Sequence, residues 1–468
     1  SVVVLGAGMG GLCAAYELEK AGYAVTMLEA SHRVGGRNFT VRRGTLIDEL
    51  GNRQVCAFDD DPHLYFNAGP ARIPGLHHRL LGYCRELGVA LEPFVNVNYN
   101  AWVQDPAVNG GRPVRHREFV ADARGFMTEL MAKSLQPEQI DAPLTPDDIE
   151  RLQAYLRRYG DLDDAMRYSG TSRAGYLSGG MLRPGQKKDT LDFQELLNAQ
   201  FSFFGMVFAQ SEFQAPSLVQ PVGGMDRIID AFVDAVKAPI HTQAVVKTVR
   251  NVPGGVEVVY TQNGREQRLT ADYCLNSIPG PLIQGLDHNF SAAYLQDIKR
   301  IERGKLSKIG LQAKTRFWED EGIYGGISWT NQDVLQVWYP SHGHHKAKGV
   351  MLGAYIFSND ANDAFGRMTH AERMEMALQA GEKVHPGKYR ANVETGISVA
   401  WHRMNHLLGC GSGVRDDPAC IARLNAPEGR HYLIGDQVSL HPGWQEGALA
   451  SAQHALDHLA RREWAQRT

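Results

Sequence analysis

The stretch Val2-Val3-Val4-Leu5-Gly6-Ala7-Gly8-Met9-Gly10-Gly11-Leu12 decides how the rest of the chain is read. Four strand-like apolar residues run into a glycine cluster, after which Leu12, Ala15, Tyr16 and Leu18 recur at helical spacing. A second apolar run, Ala24 to Leu28, follows Gly22 and ends on Glu29. This is a βαβ opening with a GxGxxG turn between strand and helix. Glycines there permit the tight turn and let backbone N–H groups meet a pyrophosphate at the helix N-terminus. Glu29 stands eighteen residues beyond Gly11, where a carboxylate can accept both ribose hydroxyls of an unphosphorylated adenosine. Together these features predict a bound dinucleotide, and they fit NAD and FAD alike.

The bulk properties bound the remainder. At 468 residues the chain exceeds the roughly 250–300 that a single hydrophobic core can serve, so two or three domains are expected. With 43% hydrophobic and 22% charged residues and a net charge of −3, no global field favours nucleic acid or an anionic membrane. No apolar run reaches the ~20 residues of a membrane span. The chain opens directly on a strand without a charged leader, and a cytoplasmic location is the expectation. Cys13, Cys56, Cys84, Cys274, Cys410 and Cys420 form no CxxC pair and read as buried reduced thiols. His342-Gly343-His344-His345 follows Pro340-Ser341 without nearby acids, so no metal site is expected. Neither GxSxG nor HExxH occurs.

Residues 106 to 220 carry a mostly helical pattern, with Thr145-Pro146-Asp147-Asp148 starting a helix over Ile149 to Tyr159. Strands are predicted at Val245–Val249 and Val256–Tyr260, joined as a hairpin through Pro253-Gly254-Gly255. Others are predicted at Lys308–Lys314, Val334–Tyr339, Val350–Phe357 and Tyr432–Ile434, with a closing helix from about Gly447 to Arg461. Without repeats or a low-complexity linker, the domains are expected to interleave.

Arg33-Val34-Gly35-Gly36-Arg37, just after Glu29, adds a second glycine pair and a fixed cation, which suits a long FAD lying extended. With this RxGGR run the chain resembles the flavin amine oxidase family. Asn67-Ala68-Gly69-Pro70-Ala71-Arg72-Ile73-Pro74 resembles the GPxRxP segment of its L-amino acid oxidase branch, where the arginine grips the substrate carboxylate. A planar guanidinium fork suits that task. Pro221-Val222-Gly223-Gly224-Met225 and Ala244-Val245-Val246 resemble the family's return to the cofactor, with Val245 at the adenine end. Lys305-Leu306-Ser307-Lys308-Ile309-Gly310-Leu311 resembles the strand that carries a lysine near the flavin through a water, and its distance to Phe317-Trp318-Glu319 selects Lys308. In Val337-Trp338-Tyr339-Pro340 strand alternation lets one aromatic face the site, and Tyr339 is favoured as a phenol for the carboxylate. Trp401 resembles an aromatic wall of the same cavity. Gly435-Asp436-Gln437 and Pro442-Gly443-Trp444-Gln445-Glu446-Gly447-Ala448 resemble the family's C-terminal landmark, with Asp436 and Gln437 where Glu and His are usual, so the acid that would meet the ribityl region is one methylene shorter.

The resemblance implies an α/β fold with a discontinuous Rossmann-like FAD-binding domain (1–40, 221–285 and 420–468), a mixed-sheet substrate domain (41–105 and 286–419) and a helical insertion (106–220). It implies cofactor contacts at Gly6, Gly8, Met9, Gly10, Gly11, Glu29, Ala30, Arg37, Gly69, Pro70, Ala71, Arg72, Val245, Asp436, Gly443, Trp444, Gln445, Glu446, Gly447 and Ala448. Lys308, Arg72, Tyr339 and Trp444 are the expected catalytic set, and Arg72, Tyr339, Trp401, Gly443 and Trp444 the substrate contacts. Without a counterpart to the anchoring cysteine of mammalian monoamine oxidases, FAD is expected to be held non-covalently. The implied activity is oxidative deamination of an L-amino acid by oxygen, giving a 2-oxo acid, ammonia and hydrogen peroxide. A homodimer is left open. Phe193, Phe201, Phe203, Phe204, Phe208 and Phe213 incline the substrate toward large hydrophobic or aromatic side chains, with Glu195 and Glu212 as the alternative that favours Lys or Arg. A monooxygenase forming an amide and carbon dioxide, an amine or polyamine oxidase, and a non-catalytic scaffold are the competing readings.

Overall fold

The computed structural model describes residues 1–135, 141, 144–200, 203–414 and 417–467. Val2–Leu5 lies at the centre of a parallel sheet ordered Ile240–His241, Val25–Leu28, Val2–Leu5, Tyr273–Asn276, His431–Leu433. Val2 and Val4 pack into one core, with Leu12, Phe232 and Leu449, while Val3 and Leu5 pack into another, with Val249, Ile298 and Leu433. That two-sided burial is why the strand is continuously apolar rather than alternating. The helix Met9–Lys20 follows at once, and a Cβ on Gly11 would come within 2.0 Å of the Gly6 carbonyl oxygen. Only glycine lets helix and turn approach so closely.

The second core layer carries a four-stranded sheet, Arg265–Ala271, Gly255–Gln262, Val245–Val252 and Asp287–His288. Its first hairpin pairs the strands expected around Pro253-Gly254-Gly255. A seven-stranded mixed sheet runs Val114–Arg115, Trp102–Gln104, Gly326–Thr330, Gln336–Tyr339, Gly349–Ile356, Ser307–Ala313, Val393–Ala400. One face packs Trp338, Leu352 and Val399 against Phe66 and Trp401; the other packs Ile309, Leu311, Tyr339 and Met351 against Phe365 and Ala377.

Between 106 and 220 the helices His116–Lys133 and Pro146–Gly160 pack together, the second opened by a Thr145–Asp148 capping box. The expectation of a mostly helical stretch fails from 161 to 192. Glycines 170, 175, 179, 180 and 185 together with Pro184 give a hairpin of Tyr176–Ser178 and Gln186–Lys187 instead. No helix among the described residues is long and apolar enough to cross a membrane.

The closing helix, Gln445–Arg467, begins earlier than expected and packs on Met9–Lys20 and on His78–Glu86. Here the side chain of one expected cofactor contact is engaged by the protein instead. The Glu446 carboxylate accepts hydrogen bonds from the backbone N–H groups of Arg79 (3.1 Å) and Leu80 (2.9 Å), at the start of His78–Glu86. That helix has no side-chain cap from its own N-cap residue, His77, so a buried acid from across the core satisfies its free donors. Glu446→Ala leaves those donors unpaired and is expected to lower unfolding free energy by about 1–3 kcal/mol. Denaturant unfolding measures this, and the cofactor-to-protein ratio should stay that of the unaltered protein; a loss of cofactor without a loss of stability would reverse the assignment.

Candidate active site

The carboxyl ends of the parallel strands open into a cavity of about 470 Å³. Such crevices form where the connections from neighbouring strands diverge. Its lining begins at Gly6, Gly8, Met9 and Gly10, with Glu29, Ala30 and Val245 beside them. It continues past Arg37, Gly69, Pro70 and Asp436 and ends at Gly443, Trp444, Gln445 and Ala448. Of the expected cofactor contacts, Gly11, Ala71, Arg72, Glu446 and Gly447 are not part of this lining. Gly11 and Gly447 act through close packing instead: a Cβ on Gly447 would meet Ser439 Oγ at 2.4 Å and His441 O at 2.5 Å.

At one end the buried Glu29 carboxylate accepts from the backbone N–H of Ala7 and of Ser31, each at 2.8 Å. Burial raises its pKa, and those two donors pull against the rise. Gly8, the N-cap of Met9–Lys20, offers no side chain to the first turn, so the helix presents free N–H donors next to Gly8, Met9 and Gly10 in the lining. In the middle, Arg37 donates through both terminal nitrogens to Asp436, which also accepts from Gly443 N at 2.7 Å. Burial alone would raise the Asp436 pKa, but the Arg37 charge and these hydrogen bonds hold it below the ordinary carboxylate value. Both Asp436 oxygens are thus engaged by protein. Gln445 likewise accepts from Asn38 Nδ2 at 2.8 Å.

Behind the far end of the lining, next to Gly69, Tyr355 and Trp444, lie two buried cations. Lys308 is 1% exposed; its Nζ donates to the carbonyl of Gly69 at 2.5 Å and lies 4.5 Å from the centre of the Tyr355 ring. Burial above all brings its pKa down to about 7. Arg72 donates through Nε (2.8 Å) and Nη2 to the side-chain oxygen of Gln214. Its guanidinium carbon lies 4.8 Å from the Trp338 ring centre, 5.6 Å from Phe208 and 5.9 Å from Trp444. Burial lowers its pKa to about 10, opposed only by Tyr355. Among the described residues no carboxylate pairs with it.

Two expected substrate contacts are corrected. Tyr339 points to the opposite face of the mixed sheet, where its hydroxyl bonds Ser328 Oγ and His385 Nε2, each at 2.6 Å. Alternation allowed one aromatic to face the site, and it is Trp338. The phenol that does approach Arg72 belongs to Tyr355, cross-strand partner of Lys308 and part of the cavity lining. Trp401 is fully buried behind the wall, its indole N–H donating to Ala68 O at 2.9 Å, with its ring close to Gly69. Gly69 itself has no room for a Cβ, which would fall 1.8 Å from the Arg37 carbonyl oxygen.

Tyr355, Arg303, Cys410 and Gln214 also belong to the site, though no sequence motif marks them. Arg303 lines the cavity and donates to Leu407 O and to Gly409 O at 2.9 Å. Cys410 lines it too as a free thiol that is only half-buried, where the sequence predicts a buried one. Burial raises the Cys410 pKa against the pull of Arg37, Lys308 and Arg303. Among the aromatics, Phe208 and Phe213 lie near Arg72 and Trp444, whereas Phe193 packs on Phe126. Phe201 lies outside the described residues.

With this geometry in view, comparisons with known proteins are specific. A family model described as flavin containing amine oxidoreductase matches residues 9–459. The L-amino-acid oxidase of Siganus canaliculatus is 26% identical over 472 residues, covering 98% of this chain and 85% of that protein. A flavin-dependent L-tryptophan oxidase of Lentzea aerocolonigenes is 26% identical over 97% of both chains. The L-amino-acid oxidase of Bothrops jararacussu is 29% identical over 97% of this chain and 89% of its own. Wild-type putrescine oxidase bound to putrescine shares the fold, with a TM-score of 0.65 at 20% identity over 98% of this chain and 99% of that one. The chain therefore belongs to the flavin containing amine oxidoreductase family and is a flavin-dependent oxidoreductase.

Proposed function

We propose that the protein holds FAD non-covalently and oxidises L-amino acids with large apolar side chains, converting amino acid, oxygen and water to 2-oxo acid, ammonia and hydrogen peroxide. The observation that carries this reading is Arg72, a buried cation beside the cavity whose protein partner is a neutral amide. A buried charge without a counter-ion is costly, and a substrate carboxylate would remove that cost through two charge-assisted hydrogen bonds. An amine lacking the carboxylate has nothing to offer it.

FAD fits the cavity lining. Glu29 would take the adenosine ribose with Val245 at the base, the free first turn of Met9–Lys20 and Arg37 would meet the pyrophosphate, and Gly69, Pro70 and Trp444 would border the ring system. When bound, a flavin accepts two electrons from the α-carbon and passes them to oxygen. The chain's own residues orient the reactants. Arg72, with the Tyr355 phenol nearby, binds the carboxylate; Gly443 offers its carbonyl to the amine; Trp338 and Trp444 enclose the α-carbon and exclude water. Lys308, poised near neutrality, carries a positive charge where negative charge develops as oxygen is reduced. Phe208, Phe213 and Trp444 favour an apolar side chain. Glu195 is engaged by the backbone N–H of Asn109 and Glu212 is exposed, so neither supplies a buried acid for Lys or Arg.

On this reading Arg72→Ala should lower kcat/KM for L-amino acids about tenfold to hundredfold, since a hydrogen bond to a charged group contributes about 1.5–3 kcal/mol. Turnover of the matching amine should hardly change. Steady-state peroxide release on both substrates decides it, and equal losses would move Arg72 from substrate binding to support of the fold.

Lys308→Met should slow the oxygen-dependent half of turnover more than anaerobic bleaching by substrate. In the unaltered protein that oxygen-dependent rate should fall as pH rises through about 7, because the ammonium is lost there; in the variant it should be low and flat. Stopped-flow traces across pH 5.5–9 at about unit spacing test this, and a persisting inflection would assign it elsewhere.

Acid precipitation should release FAD intact into the supernatant, because the pKa of the half-buried Cys410 thiol is raised, which disfavours the nucleophilic thiolate. Yellow colour retained by the precipitate and lost in Cys410→Ser would show a covalent thioether instead.

A further inference from the structure

The amide that holds Arg72 has a role beyond structure. We propose that Gln214 is a positioning residue that determines specificity: it orients the Arg72 guanidinium without neutralising it, and so reserves the charge for a carboxylate arriving from solvent. The inference rests on the reading of Arg72 as the carboxylate grip.

A buried guanidinium needs acceptors, and protein chains ordinarily supply an Asp or Glu. Among the described residues the other buried arginines, Arg316 and Arg373, follow that habit, pairing with Glu319 and Glu49. Arg72 departs from it. Both Nε and Nη2 point at one neutral oxygen, Gln214 Oε1, which anchors one edge of the planar fork and leaves the Nη1 side for another acceptor. Glutamate would reach the same place with almost the same shape, differing only in charge. An internal carboxylate there would satisfy the cation permanently and repel a substrate carboxylate.

Gln214 is itself fixed. Its backbone N–H donates to Ser211 O at 2.9 Å, and its carbonyl accepts from the buried Asn96 Nδ2 at 2.6 Å. The preceding residue, Phe213, lies with its ring 5.7 Å from that of Trp444 and 5.2 Å from that of His77. One short turn therefore supplies an aromatic wall and the holder of the cation in consecutive positions.

The test uses purified flavin-loaded protein and the variants Gln214→Glu, Gln214→Met and Arg72→Ala, each checked for flavin content and melting temperature. Benzoate and benzamide, which share shape but not charge, are titrated against the flavin absorbance. Gln214→Glu should weaken benzoate about tenfold to hundredfold and leave benzamide nearly unchanged. Gln214→Met keeps the volume but removes the acceptor, and should weaken benzoate about twofold to tenfold. In turnover, the Glu variant should raise KM for L-phenylalanine far more than it lowers kcat, and should narrow the preference for L-phenylalanine over phenethylamine. Benzoate bound by Gln214→Glu as tightly as by the unaltered protein, while Arg72→Ala loses it, overturns this inference and leaves the carboxylate grip standing. Full benzoate affinity in Arg72→Ala overturns both. If Gln214→Glu does not fold, unchanged benzoate affinity in Gln214→Met is sufficient to overturn the inference.

Discussion

One residue, Arg37, ties the site together. Its side chain binds Asp436, 399 residues away in sequence, through both terminal nitrogens, and its carbonyl oxygen occupies the space a side chain on Gly69 would need. Three separate segments thereby converge on one arginine: the glycine run after the second strand, the loop before Arg72, and the turn into the closing helix. Replacing such a pair with apolar residues can leave stability unchanged, but removing one partner strands a buried charge at about 3–5 kcal/mol. The interaction thus acts mainly as a register mark. Gly443 N adds a third donor to Asp436, so the same carboxylate also sets the backbone beside Trp444.

That convergence explains which parts of the molecule were legible in sequence. The opening turn was legible because its requirements are local: Gly6, Gly8, Gly11 and Glu29 act within one βαβ unit, and a positive φ at Gly6 and close packing at Gly11 exclude other residues there. Strands such as Ser307–Ala313 and Gly349–Ile356 were legible from their apolar runs to within a residue or so. What sequence could not supply was the side of the sheet. Trp338 and Tyr339 are neighbours of opposite parity, and only the register against Leu352 and Ile327 fixes which ring meets Arg72. Glu446 sits inside a motif that suggests the cofactor, yet its carboxylate serves a helix 366 residues earlier. Tyr355, Arg303 and Cys410 reach the cavity through tertiary contacts alone. Tyr355 had one available signal, as the cross-strand partner of Lys308.

The two cations at the far end answer burial differently. Lysine can shed its proton, and Lys308 comes down to about 7. Between there and the ordinary lysine value the unfolded chain binds more protons than the folded one, so this group's contribution makes stability rise with pH across that window. Below about 7 both states are protonated and the full cost of burying the ammonium is felt. Arginine has no such outlet. Even lowered to about 10, Arg72 stays charged at neutral pH, and its partners are aromatic faces and one amide. Ring quadrupoles ease the burial of a cation by about 0.5–2 kcal/mol each at most, which is short of what a counter-ion provides.

On the proposed function, the remaining deficit would give the site its discrimination. A ligand that brings a carboxylate completes a half-built ion pair, so the cost of taking Arg72 out of water, already met in folding, returns as binding energy. A ligand without one leaves the guanidinium as it was and gains only apolar contact with Trp338, Trp444 and Phe208. Pockets that merely accommodate an extra group discriminate weakly, whereas a site with a buried partner left unmet rejects the incomplete ligand more strongly. The fold shared with putrescine oxidase does not require this choice, since nothing in the parallel sheet or the glycine turn depends on Arg72. On that function, selectivity would rest on one charge left without a counter-ion, held between the faces of Trp338, Phe208 and Trp444 and the amide of Gln214.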